Sequence, residues 1–147
     1  MRTFVKICYV GMICIILSAC QGNVASKQEG NDLAVKYLNA TIAGNYDEAF
    51  SLVSEDFFQM RGKDTWTEYL NEVQKIMGPV ISIKLSRSLV DDRFSGRFYM
   101  FQFSVKHENG FTTEMITMLQ KINSKDPLKV FGHKIDSSKL KKLNARY

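Results

Sequence analysis

Glu114, His133 and Arg87 are the side chains of this 147-residue sequence with which acid–base or anion chemistry could be done. Glu114 stands in an alternating run with Thr112, Ile116 and Met118, a spacing that puts all four on one face of a strand. Arg87 follows Ile81, Ile83 and Leu85 at the same two-residue period, which predicts that it points the way they do. A cation and a carboxylate both facing inward would pair across the mouth of a curved sheet. That pair is either a structural bridge or the receiver for an anionic ligand in a pocket lined by Trp66, Tyr99 and Phe101. His133 shares its strand face with Phe131 and Ile135, and His107 sits at a hairpin end beside Glu108. Glu114 and His133 are the candidates for a catalytic base, and no second acid group joins them. Two histidines without a carboxylate cluster make no metal signature, and no cofactor motif is present. A binding role is therefore preferred to catalysis.

The three cysteines carry the second piece of chemistry. Cys8 and Cys14 lie in an apolar run, Ile7 to Leu17, preceded by Arg2 and Lys6. That pattern is the positive and apolar part of a secretion signal, and the run is shorter than the roughly 20 residues needed to span a bilayer. Leu17-Ser18-Ala19-Cys20 follows directly and resembles the bacterial lipobox. The resemblance implies lipid on the Cys20 sulfur and cleavage of residues 1–19. It leaves no free thiol, so disulfides, cysteine–metal sites and thiol chemistry are excluded. Gln21 rather than Asp after the cysteine implies, by the same resemblance, an outer-membrane destination facing the periplasm. Two or more acyl chains make such an anchor stable.

Once Arg2 and Lys6 leave, 18 of the 20 basic residues remain against 15 acidic ones. Lys139, Lys141, Lys142 and Arg146 crowd the end, so the body is nearly neutral and lacks the basic face of a nucleic-acid binder. Apolar residues at 45% and charged residues at 24% suit one folded domain of about 125 residues.

The elements that position these residues follow from periodicity. Ala34, Tyr37, Leu38, Thr41 and Ile42 make one helical face, capped at Asn31 or Asp32 and ended by Gly44. A short helix starts at Asn45, and a third carries the stripe Trp66, Tyr69, Leu70, Val73, Ile76 and Met77 up to Gly78-Pro79, with Thr65 and Glu68 as its capping box. Alternation then begins at Ile81, and turns at Asp91-Asp92 and Asn109-Gly110 divide the remainder into about four strands. The sequence thus predicts an α+β fold, three N-terminal helices followed by a curved antiparallel sheet. Residues 20–30 read as the lipidated cysteine and a flexible tether, 31–136 as the domain, and 137–147 as a basic tail that frays, forms a short helix, or touches anionic lipid.

Several residues occur in the order found in one family. They are Ala34-x-x-Tyr37-Leu38, Gly44-Asn45-Tyr46, Trp66, Met77-Gly78-Pro79-Val80, Gly96-x-Phe98, Glu114 and Val130-Phe131-Gly132-His133. The set resembles the nuclear-transport-factor-2-like (cystatin-like) cone, as found in small bacterial envelope domains. The resemblance implies a cone over roughly residues 32–136 and fixes no activity, because that shape serves enzymes and interaction domains alike. The expected function is a lipid-anchored envelope domain that recognises a protein partner or a small apolar ligand. An isomerase- or dehydratase-like enzyme using the cone cavity is the alternative.

Overall fold

Ser26 and Glu29 start the first helix of the described residues. The computed structural model describes residues 24–122 and 124–147; the leader, the lipobox and Cys20 lie outside the described residues. Ser26 accepts from the Glu29 backbone while Glu29 reaches back to Ser26, a reciprocal capping box that starts α1 (Lys27–Ile42). The helix therefore begins four residues before Asn31, and residues 27–30, expected to belong to a tether, are helical. Gly30 is there for contact rather than flexibility. A Cβ at this position would lie 3.1 Å from the Phe101 ring.

Then follow α2 (Tyr46–Ser51), α3 (Glu55–Arg61) and α4 (Lys63–Met77), so among the described residues four helices precede the sheet instead of three. The additional helix is α3, capped by Ser54 with Glu55 and Asp56 in its first turn. Its start is tied to the sheet: Ser54 N–H donates to the Val130 carbonyl at 2.9 Å, and Val130 N–H to that of Leu52. Helix α4 starts after Gly62 without a side-chain cap, so the Thr65–Glu68 box does not form at its N-terminus. It buries Trp66, Tyr69, Leu70, Val73 and Met77 and stops at Gly78, whose φ of +74° is open to glycine.

The sheet is an antiparallel meander of β1 (Val80–Arg93), β2 (Gly96–His107), β3 (Gly110–Lys121) and β4 (Lys129–Asp136), hydrogen-bonded in chain order. The fold is the α+β one, with helices laid into a curved open sheet. Tyr99, Phe101, Phe103 and Val105 of β2 and Thr112, Glu114, Ile116 and Met118 of β3 line the inner face. The helices fill the concavity: Tyr37, Leu38, Phe57, Trp66 and Met77 are all buried against those strands.

The chain after Asp136 is part of the domain. A 3₁₀ turn (Ser138–Leu140) and α5 (Lys141–Asn144) bury Leu140 and Leu143, and Asn144 accepts from the Tyr69 hydroxyl at 2.8 Å and donates to the Ile135 carbonyl at 2.9 Å. The lysines of 137–147 decorate the outside of a packed segment, not a frayed tail. Among the described residues no helix is long and apolar enough to cross a membrane.

Candidate functional site

Two irregularities decide what faces inward. The pairing of β1 with β2 shifts between Val80 and Ser82 and again between Leu85 and Arg87, so Ile81 and Ser86 are extra residues in the strand. Before the second bulge Ile83 and Leu85 oppose Val105 and Phe103, whose side chains are buried. After it Ser88 and Val90 oppose Phe101 and Tyr99, while Arg87 stands opposite Gln102 on the outer face. Arg87 is exposed, and the inward pairing with Glu114 expected from uninterrupted alternation is not made.

Glu114 is buried and finds its partners within the sheet. Its Oε2 accepts from His133 Nε2 at 3.0 Å and its Oε1 from the Thr112 hydroxyl at 2.9 Å. These bonds extend in both directions. The Tyr37 hydroxyl lies 3.2 Å from His133 Nδ1, and Trp66 Nε1–H donates to the Tyr37 oxygen at 3.3 Å. On the other side His107 Nε2 lies 3.1 Å from the Thr112 hydroxyl, and His107 Nδ1 3.1 Å from the Gly78 carbonyl.

The donors can be assigned by elimination. His133 gives its Nε2 hydrogen to the carboxylate, which only accepts, and its Nδ1 meets the Tyr37 hydroxyl. A carbonyl only accepts, so His107 donates at Nδ1 to Gly78. The Thr112 hydroxyl donates to Glu114 and lies 3.1 Å from His107 Nε2. His107 is thus joined to Glu114 through one hydroxyl.

Burial alone raises the Glu114 carboxyl, but it is outweighed. The His133 hydrogen bond and charge, the Thr112 hydrogen bond and the His107 charge together hold the group below its ordinary value. Burial raises the Tyr37 hydroxyl strongly, against the lowering by its bond from Trp66.

Tyr37–His133–Glu114 has the order of a hydroxyl, a base and an orienting carboxylate, the logic of an activated nucleophile. Its position removes that use. Tyr37 is 0% exposed, is covered by Trp66, and lies edge-on to the His133 ring. Next to the network is a crevice of about 50 Å³, lined by Thr41, Leu70, Val73, Gln74, His107, Glu114 and His133 among others. That is room for a few waters, far short of the roughly 300 Å³ at which ligand pockets begin. Trp66, Tyr99 and Phe101, expected to line a pocket with Arg87, are 1%, 1% and 0% exposed and belong to the core. The larger concavity lies elsewhere. It is an open groove of about 880 Å³ between α3 and the β3–β4 end, bordered by Phe50, Phe58, Leu119 and Phe131 and by Lys63, Lys121 and Lys129 with Glu55, Asp56 and Asp126. It contains no member of the Glu114 network. No cluster of three potential metal ligands occurs among the described residues.

Glu114 and His133 were legible as candidates; Thr112, His107 and Tyr37 were missed as their partners. The available signal was register, since Thr112 and Glu114 are two apart on β3, and Ile116, directly opposite His133, is two further on.

No protein-family profile matches the chain, and no curated protein sequence matches it significantly. Solved structures do. The Bdellovibrio bacteriovorus protein Bd1075 superposes with a TM-score of 0.52 at 11% identity over 76% of this chain, which spans 41% of that one. A structure from Catenulispora acidiphila superposes with a TM-score of 0.51 at 15% identity, covering 74% of this chain and 88% of the other. At such identities the likeness is one of fold, shared with these bacterial proteins.

Proposed function

We propose that this chain is a lipid-anchored protein of the bacterial envelope, with a nuclear-transport-factor-2-like cone that serves as a non-catalytic binding domain for a protein partner. The observation that carries the reading is the state of the cone interior. Its acid–base pair, Glu114 and His133, is consumed by internal hydrogen bonds, and the remaining crevice of about 50 Å³ admits no substrate. A filled cone leaves recognition to the outside of the domain. The sequence from Arg2 to Cys20 supports the anchor and the envelope address.

Crosslinking in intact cells, followed by mass spectrometry of the adduct and of the N-terminal peptide, tests both halves. The expected result is a discrete envelope protein bound to a chain that begins at acylated Cys20. Turnover of a small molecule that disappears in Glu114→Gln while the variant stays folded would replace the binding role by an enzymatic one. An unmodified Cys20 would remove the anchor.

A further inference from the structure

Ala25, five residues after the cysteine proposed to carry lipid, is fastened to one end of the cone. Its N–H donates to the Gln120 side chain at 3.0 Å, and its carbonyl accepts from the Tyr99 hydroxyl. Gln120 lies at the end of β3, where Lys121 pairs with Gly96 and Gly96 with Arg93. The β1–β2 turn at Phe94-Ser95 and the start of the β3–β4 loop at Ile122 are therefore at the same end as the fastened N-terminus. This end carries large apolar side chains without cover: Phe94 is 102% exposed, Ile122 59% and Val24 57%.

Five residues of fully extended chain reach at most about 18 Å. A sulfur held at the lipid surface thus keeps Ala25 within that distance of the bilayer. The other end of the sheet, with Phe111 and the Asn109-Gly110 hairpin, lies more than about 30 Å further along ten residues of β3. The basic C-terminal segment is at that far end too, since Lys139 donates to the Asn109 carbonyl. Three cations of the near end, Arg93, Arg97 and Lys121, are already paired. Arg93 Nε lies 2.7 Å from Asp91 Oδ2, Arg97 Nη2 2.8 Å from Asp92 Oδ2, and Lys121 Nζ 3.2 Å from Asp56 Oδ2. Paired ions lower the cost of bringing this rim to a low-dielectric surface, and a fully exposed phenylalanine at a turn tip gains from leaving water.

We infer that the β1–β2 turn, with Phe94 at its tip and Ile122 and Val24 beside it, is a membrane-contacting end that inserts into the lipid interface and orients the domain upright on its anchor. The inference rests on the lipid anchor of the preceding section. It replaces contact by the basic tail, and it makes the lipid surface, not a protein, the occupant of this patch.

The test uses the mature acylated chain in vesicles of phosphatidylethanolamine and phosphatidylglycerol, with and without bromine on the acyl chains. Phe94→Trp is compared with Phe111→Trp at the far end, and the emission of the buried Trp66 is subtracted from both. Flotation of each variant with the vesicles is recorded first. The expected result is flotation of both, with blue-shifted emission lost to brominated lipid for Phe94→Trp and unchanged for Phe111→Trp. Flotation with equal quenching at the two positions overturns the orientation and leaves the anchor standing. Failure to float overturns the anchor and the orientation with it.

Discussion

Replacing Glu114 by glutamine keeps the shape of the side chain and removes its charge and one of its two acceptors. In the protein Oε2 faces the Nε2–H of His133 at 3.0 Å and Oε1 faces the Thr112 hydroxyl at 2.9 Å. The single oxygen of the amide can serve one of them, and its NH₂ then faces the other donor. If the oxygen takes Thr112, His133 must switch to the tautomer that accepts at Nε2 and donates at Nδ1. The Tyr37 oxygen then receives hydrogens from His133 and Trp66 together, and its own hydrogen, in a residue 0% exposed, loses its acceptor. If the oxygen takes His133, the amide NH₂ faces Thr112, whose hydroxyl loses its acceptor on Glu114 and must turn toward His107. An orphaned buried polar group costs about 1–3 kcal/mol, and a charge-assisted hydrogen bond worth about 1.5–3 kcal/mol becomes a neutral one worth about 1. The expected loss is about 2–4 kcal/mol at pH 7, read as a lower midpoint of urea unfolding at unchanged slope. Its pH dependence separates this account from a simple packing defect. Burial raises the Glu114 carboxyl and its partners lower it further than that, so the folded value lies below the ordinary 4.5. A depressed folded value contributes stability that is complete above the unfolded value and lost as pH falls through the folded one. The gap between wild type and Glu114→Gln should therefore be widest near neutrality and narrow as pH falls below about 4.5. A loss under about 0.5 kcal/mol at pH 7, or a gap indifferent to acid, would refute the argument.

Leu143→Ala should cost about 2–5 kcal/mol in the same urea assay, because the leucine is buried under α5; a negligible loss would return 137–147 to the status of a tail. Gly96→Ala should destabilise by at least about 2 kcal/mol, since φ is +146° and the new Cβ overlaps the Gln120 carbonyl oxygen; thermal unfolding within error of wild type would contradict the geometry. Arg87→Ala should change stability by less than about 0.5 kcal/mol, as befits an exposed outer-face residue, and a larger loss would mean that it has an inward partner after all. At alkaline pH, burial raises Tyr37 and pushes Tyr69 up to about 12 from 10.0, so the stability they provide is complete below 10 and lost as pH rises through the folded values. Absorbance titration should show these two tyrosines ionising only as the protein unfolds; a full complement titrating near 10 in the native state would sink this.

What the sequence could and could not reveal follows from which forces act locally. Helical stripes and strand alternation are written in consecutive residues, so α1, α4, the Asn109-Gly110 hairpin and the inward set of β2 and β3 were legible. Helix α3 also leaves a local mark, Ser54 as a cap followed by Glu55 and Asp56 in the first turn. The bulge at Ser86 was not, because an extra residue is defined by the pairing with β2 and leaves no mark on β1 itself, and one such residue moved Arg87 to the outer face. Nor does an inward aromatic stripe say whether the space it faces is empty. Trp66, Tyr99 and Phe101 point inward as expected, and the helices occupy the room a ligand would have needed.

The same contrast explains a costly pair of groups in a core that does no chemistry. A slip of two residues between β3 and β4 that set His133 opposite Met118 would keep every side chain on its face but leave the Glu114 carboxylate buried with one donor fewer, a loss of about 3–5 kcal/mol. A like slip between β2 and β3 would separate His107 from Thr112 and break the path to Gly78. Apolar neighbours such as Ile116 and Met118 discriminate weakly between registers, because one methyl-rich contact replaces another. The hydrogen-bonded path from Gly78 through His107, Thr112, Glu114 and His133 to Tyr37 ties three strands to the ends of α4 and the middle of α1 in one arrangement. In a sheet that already contains three register shifts, that path supplies the discrimination which packing alone would not.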